Sequence, residues 1–253
     1  MSTAISPDVT SITVDAADGP AEVYLARPDG TPRAGIVLYM DALGLRPQIA
    51  EMAARIASWG YGVIAPHVFY RWGTADELSP DGPLMTPEER AAFFGPAVMG
   101  RIEGYTAALS RQDDVAWVET LTSELGDVPI GATGYCFGAR LATQLAGELP
   151  ERVAAVGGWH GAALATDAPD SPHTFLAAAT AEFHYGHADH DPSMPPDAVA
   201  ALGSALSAAG LTHRNEIFAG AAHGYTMKDT SSYGAEHENR HWQALEALYA
   251  RTF

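Results

Sequence analysis

The stretch Val128-Pro129-Ile130-Gly131-Ala132-Thr133 runs into Gly134-Tyr135-Cys136-Phe137-Gly138, and a helix-like segment follows over 137–149. The first six residues read as a buried strand, and the pentapeptide has the form G-x-C-x-G. That form is a sharp strand-to-helix turn that lifts a nucleophile clear of a sheet, with sulfur in place of the usual serine oxygen. The glycines let strand and helix approach where a Cβ would obstruct them, and the nucleophile is held in a strained backbone conformation. The turn also sets Cys136 at a helix N-terminus, where the dipole favours thiolate over thiol. Taken alone, the pentapeptide is also compatible with a buried, inert cysteine.

The flanking sequence supplies the rest of a sheet. Residues 10–15 and 21–26 alternate apolar and polar around Asp18-Gly19-Pro20, which reads as an antiparallel hairpin. Gly35-Ile36-Val37-Leu38-Tyr39-Met40 and Val63-Ile64-Ala65-Pro66 are nearly unbroken apolar runs, as parallel strands covered on both faces require. Between them, Ile49, Met52, Ala53 and Ile56 mark the apolar stripe of a helix over 46–58. Residues 72–98 are rich in Gly, Pro and acidic side chains and read as an excursion and a candidate lid. A short helix opens there, with Thr86 as N-cap and Pro87 at its first position. A helix is expected near 103–124. Beyond the elbow, strands near 153–159, 181–185 and 213–218 alternate with helices near 195–209 and 235–251. The expected fold is α/β: one domain over 1–253, with a mostly parallel, doubly wound sheet flanked by helices and an N-terminal antiparallel hairpin. Ligands then bind at the carboxyl ends of the strands.

Composition narrows the function. The chain has 253 residues, 47% of them hydrophobic, enough for a substantial core. A formal net charge of -17, with 14 scattered Lys and Arg, argues against nucleic acid and anionic membrane as partners. The single cysteine excludes an internal disulfide, residues 1–20 lack a basic start and an apolar core, and no run is long enough to span a bilayer. A cytoplasmic protein is the expectation. Nothing in the sequence specifies an oligomeric state.

A thiol nucleophile needs a base within hydrogen-bond reach and a group that orients the base. The strand Ala181–Tyr185 ends in Gly186-His187-Ala188-Asp189, and the strand Arg214–Phe218 ends in Ala219-Gly220-Ala221-Ala222-His223-Gly224-Tyr225. Cys136, Asp189 and His223 therefore follow the nucleophile–acid–histidine order of the α/β-hydrolase fold, each at a strand end. The alternatives are a turn residue for Asp189 and a surface histidine for His223. An oxyanion hole is expected from Phe137 N–H and Ala42 N–H, the latter in the loop Met40-Asp41-Ala42-Leu43-Gly44. Asp41 in that loop either takes a proton from the thiol or caps the helix that follows. Trp159, His160 and Tyr225 are read as pocket lining that favours a small apolar or aromatic acyl group, with ordinary core packing as the other reading.

Several functions find no support. His184, His187, Asp189, His190 and Asp191 crowd together, but a strand followed by a loop throws such side chains apart, and no cysteine pair accompanies them. No metal site is expected. Neither G-x-G-x-x-G after a strand nor G-x-x-x-x-G-K-[ST] occurs, and no cofactor is expected.

The elbow Gly-Tyr-Cys-Phe-Gly, the stretch Phe183-His184-Tyr185-Gly186-His187-Ala188-Asp189-His190 and the segment Gly220–Tyr225 together resemble the dienelactone hydrolase family. The likeness includes Ile64-Ala65-Pro66-His67-Val68-Phe69-Tyr70-Arg71 and spans roughly residues 20–250. The resemblance implies an α/β-hydrolase fold and a Cys-His-Asp triad that cleaves a small ester or lactone. Cys136 would attack the carbonyl, His223 would move the proton and Asp189 would orient it. It also implies an auxiliary carboxylate beside the resting thiol, matched here by Asp41, where well-known members carry Glu. Those members hold the substrate carboxylate with two arginines. The position matching the first is Met227, followed by Lys228; for the second, Arg90 and Arg101 are available, and Arg101 is counted as the substrate-binding candidate. The expected activity is therefore hydrolysis of a small-molecule ester or lactone through a thioester acyl-enzyme. A catalytically silent small-ligand-binding protein and an acyltransferase or cyclase using the same residues are the alternatives.

Overall fold

The computed structural model describes residues 9–253, so part of the N-terminal stretch read above for a signal sequence lies outside the described residues. The eight strands of this α/β fold take the orders β1-β2-β4-β3 and β5-β6-β7-β8; the first hairpin is antiparallel, β3 and β4 are parallel, and β5 to β8 all run parallel. β1 is Val9–Ala16, β2 Gly19–Ala26, β3 Gly35–Tyr39 and β4 Gly62–Pro66; β5 is Ile130–Tyr135, β6 Val153–Trp159, β7 Glu182–His187 and β8 His213–Ile217. By contact, the chain forms two compact units: residues up to Pro129 with Asp229–Ser231, and Ile130–Lys228 with Ser232–Phe253.

In the first unit, Ala16 pairs with Gly19 across the hairpin tip, where Gly19 takes a positive φ of 136° that the tight reversal requires. β2 pairs antiparallel with β4, and β3 runs parallel to β4; every residue of β3 and β4 is buried. The apolar runs are thus strands covered on both faces. Helix α1, Pro47–Ala57, buries Ile49, Met52, Ala53 and Ile56, the stripe the sequence marks. The excursion folds into short pieces: a 3-10 turn at Tyr70–Trp72, α2 at Ala75–Leu78 and α3 at Pro87–Phe93. Thr74 with Glu77, and Thr86 with Glu89, form reciprocal capping boxes that satisfy the first amides of α2 and α3.

The helix expected near 103–124 is α5, Ala107–Leu125, and a separate helix, α4 at Pro96–Gly104, precedes it. The break lies at Tyr105 and Thr106. Thr106 caps α5 by accepting the Leu109 N–H, and Tyr105 turns inward so that its hydroxyl donates to Asp113 Oδ2 at 2.9 Å. Asp113 is fully buried and also accepts from Tyr70 Oη at 2.8 Å and from both Arg71 terminal nitrogens at 2.6 and 2.9 Å. A buried carboxylate persists only with such a full set of donors. We expect Asp113→Ala to destabilise the protein by roughly 3–5 kcal/mol, read from denaturant unfolding, because Arg71 and two tyrosines lose their common acceptor.

In the second unit, β5, β6, β7 and β8 run parallel in that order. Helix α6, Phe137–Glu148, packs on β5 and β6, and α9, Ala235–Thr252, packs on β6 and β7. α7 is Pro172–Phe175 and α8 is Pro196–Ala208. β8 reads His-Arg-Asn-Glu-Ile and is partly exposed, the composition of an edge strand. No helix among the described residues is long and apolar enough to cross a membrane.

Candidate active site

Cys136 lies between the end of β5 and the first turn of α6, with φ 52° and ψ -114°. A non-glycine residue held at positive φ is strained and persists only where its surroundings fix it. Here the Cys136 N–H donates to Trp159 O at 3.0 Å, and its carbonyl accepts from Ala139 N at 3.2 Å and Ala162 N at 3.3 Å. Gly134 is required by space: a Cβ there would overlap the Gly138 carbonyl at the start of α6. The sulfur sits at a helix N-terminus, whose leading amides lack intrahelical partners.

Two loops bring the other groups to it. His223, in the loop after β8, places Nε2 3.0 Å from Cys136 Sγ. Its Nδ1 lies 2.6 Å from Asp191 Oδ2. Asp191 is 5% exposed, and its Oδ1 accepts from Ser193 N at 2.9 Å and Ser193 Oγ at 2.6 Å. The acid beside the histidine is thus Asp191, which corrects the expectation for Asp189. Asp189 faces elsewhere: its Oδ2 accepts the Gly220 N–H at 2.8 Å, and its own N–H donates to Ala221 O at 2.7 Å. It ties the loop after β7 to the loop that carries His223. The physical reason is the length of β7. The strand runs through His187, two residues past the expected end at Tyr185, and the acid that arrives under the imidazole is displaced by the same two residues.

The charges reinforce this geometry. Burial opposes protonation of His223, but the charge of the Cys136 sulfur and the hydrogen bond and charge of Asp191 outweigh it, raising the imidazole from 6.5 to about 10. Burial likewise opposes ionisation of Asp191, yet the His223 hydrogen bond and charge and the Ser193 donors hold it below the ordinary carboxylate range. The ring is thereby held between the two groups, Nδ1 toward Asp191 and Nε2 toward the sulfur. Because the folded value of His223 exceeds the unfolded one, its stabilising contribution is complete below about 6.5 and lost as pH rises through about 10. Thermal melts across that window should show a decline for the native protein that a His223→Gln variant lacks.

The neighbouring side chains diverge: His184 reaches Glu216 at 2.9 Å, His187 reaches Asn215 at 2.7 Å, and the His190 side chain is 96% exposed. Among the described residues no group of His, Cys, Asp and Glu could hold a metal ion.

The family model described as the dienelactone hydrolase family matches residues 21–253. The chain belongs to that family. A Salmonella typhi protein named "Putative carboxymethylenebutenolidase" is 25% identical over 98% of this chain and 88% of its own length. The solved structure of a dienelactone hydrolase-like promiscuous phosphotriesterase from metagenomic libraries shares the fold at a TM-score of 0.78, with 22% identity over 97% of this chain and 99% of that one. A dienelactone hydrolase from Anabaena variabilis superposes at 0.68, with 18% identity over 97% and 98%. A dienelactone hydrolase-type enzyme acting on a small molecule is the function these likenesses support.

Other expected site residues of this hydrolase stand differently. Trp159 is fully buried, donates its indole N–H to Thr133 Oγ1 at 3.0 Å, and packs on His241 at 4.5 Å, as a core side chain does. His160 and Tyr225 are also fully buried; the Tyr225 hydroxyl donates to Gly186 O at 3.0 Å. Pocket lining is thus corrected to packing for all three. Met227 is buried, and Lys228 is paired with Glu238 at 3.3 Å. In the first unit, Ala42 is buried in a turn closed by Gly44 N–H to Asp41 O at 3.2 Å. Asp41 neither caps α1 nor stands alone: its two oxygens accept from Arg46 at 2.5 and 3.1 Å, and Oδ1 also takes the Leu43 N–H at 3.1 Å. Arg46 in turn reaches Asp229 at 2.5 Å. The sequence reading missed this bidentate pair; the spacing Asp41…Arg46 just before a helix was its only signal. Arg101 is buried, donates to Leu78 O at 3.3 Å and lies over the Phe69 ring, with no carboxylate partner among the described residues. Burial lowers its pKa.

Proposed function

We propose that this hydrolase cleaves a small ester or lactone through a cysteine nucleophile, with Cys136, His223 and Asp191 as the triad. One observation carries the reading: His223 bridges Cys136 Sγ at 3.0 Å and Asp191 Oδ2 at 2.6 Å. In the proposed route Sγ attacks the carbonyl carbon, forming a C–S bond as the carbonyl π electrons move to oxygen. The Phe137 N–H, first in α6, receives the developing oxyanion. Collapse breaks the C–O bond, and His223 Nε2–H protonates the leaving alkoxide or enolate. Water then attacks the thioester and gives its proton to Nε2; the C–S bond breaks, releasing the acid and restoring the sulfur. Asp191 holds Nδ1–H throughout and fixes the tautomer.

The substrate is expected to be small and without a required carboxylate. Met227 offers no charge and Lys228 is engaged by Glu238, so a bidentate guanidinium clamp is absent from this segment. A neutral ester such as p-nitrophenyl acetate should therefore be turned over at least about tenfold better in kcat/KM than an otherwise matched carboxylate-bearing lactone. Comparing a panel graded in charge and size tests this, and preference for the anionic lactone would reverse it. His223→Ala should slow hydrolysis on the order of a hundredfold or more, measured as kcat on the same ester. Iodoacetamide labelling of Cys136 at neutral pH, with matching loss of hydrolysis, tests the nucleophile itself.

A further inference from the structure

We propose that His160 is a positioning residue for His223, and that the turn Trp159–Ala162 braces nucleophile and base together. The proposal rests on the reading of Cys136 and His223 as the reacting pair.

His160 has no exposed surface, so it is not placed to meet substrate. Its ring instead stands edge-to-face against the His223 ring, with centroids 5.3 Å apart and planes at 68°. On its other sides lie Tyr225 at 5.0 Å and Tyr135 at 6.0 Å. The tilt of the His160 ring is fixed by its Nε2, 2.8 Å from Thr226 Oγ1. Thr226 follows His223 by three residues in the same loop, so His160 is pinned to the segment whose histidine it supports. The His223 side chain is 24% exposed, and its two nitrogens are held at opposite ends by Cys136 and Asp191. Those bonds fix the ring at its ends and leave sideways motion to be stopped by whatever packs on its face.

The same turn also holds the sulfur. Trp159 O accepts the Cys136 N–H, and Ala162 N–H donates to the Cys136 carbonyl. His160 itself sits at φ 37°, a second strained non-glycine residue, anchored by its N–H to Gly186 O at 2.8 Å. Strain of this kind persists only where neighbours over-determine the backbone, and here the two residues directly follow the ends of strands hydrogen-bonded to each other, β5 and β6. A shift of the turn would move sulfur and imidazole together. Loss of the His160 ring would move the imidazole alone, and small misplacements of a reacting group are expensive in rate.

The test compares His160→Leu, which removes the polar ring, with Thr226→Val, which removes only its anchor. For His160→Leu, kcat on p-nitrophenyl acetate should fall on the order of tenfold or more with KM within about a factor of two. The NMR titration midpoint of His223, raised in the native protein by Cys136 and Asp191, should move down toward 6.5 as those contacts loosen. Thr226→Val should shift both readouts the same way by less. Unchanged kcat and midpoint in either folded variant, whatever happens to its melting temperature, would overturn the proposal; so would a raised KM at native kcat, the mark of a substrate contact. If His160→Leu does not fold, Thr226→Val decides. Retained turnover in Cys136→Ala would reject the underlying reading, whereas an inactive Cys136→Ala beside native-like His160 and Thr226 variants would reject this proposal alone.

Discussion

Replacing Cys136 with alanine is expected to lower ester turnover by at least about four orders of magnitude while leaving the melting temperature within a few degrees of the native value. The size of the loss follows from the covalent route. Without sulfur no thioester forms, and His223 is left to activate water in a geometry built for a larger, bound atom. The structure should survive because the strained backbone at residue 136 is held by main-chain bonds to Trp159, Ala139 and Ala162, which the substitution leaves in place. Alanine at φ 52° is no more strained than cysteine. Cys136→Ser should recover only a small fraction of activity, because an alkoxide is far harder to generate than a thiolate. Hydrolysis of p-nitrophenyl acetate and thermal denaturation measure both halves of the expectation.

The second large effect separates two aspartates that stand two residues apart. Asp191→Asn should reduce kcat on the order of a thousandfold, whereas Asp189→Asn should leave it within about a factor of three. An amide at 191 keeps the shape but removes the charge that holds the imidazole protonated and oriented through Nδ1. At 189 the carboxylate serves a backbone amide, Gly220 N–H, which an Asn side-chain oxygen accepts equally well. Steady-state kinetics on the two variants, prepared side by side, check the assignment. Comparable losses in both would mean that the link between the two loops matters as much as the charge on Asp191.

Much of this was legible in the sequence because the signals were local. The elbow glycines, the apolar runs of β3 and β4, the stripe on α1 and the Thr86-Pro87 start of α3 each specify their structure within a few residues. What failed depended on where elements stop or on partners distant in the chain. β7 extends two residues further than its apolar pattern suggests, because His187 is buried and bonded to Asn215 on β8, and that extension moved the acid from 189 to 191. Helix α4 was not marked, and its separation from α5 lies where Tyr105 reaches Asp113, which no helical periodicity reveals. The aromatic and imidazole side chains at 159, 160 and 225 look the same in sequence whether they face a ligand or one another; only their burial separates the two.

The most direct measurement of the central claim is rapid-quench mass spectrometry of the protein during p-nitrophenyl acetate turnover. An acetyl group located by peptide mapping on Cys136, accumulating in His223→Ala where deacylation is slowed, is the predicted result. Turnover with no acyl group on Cys136, or an acetyl group carried on another side chain, would contradict it.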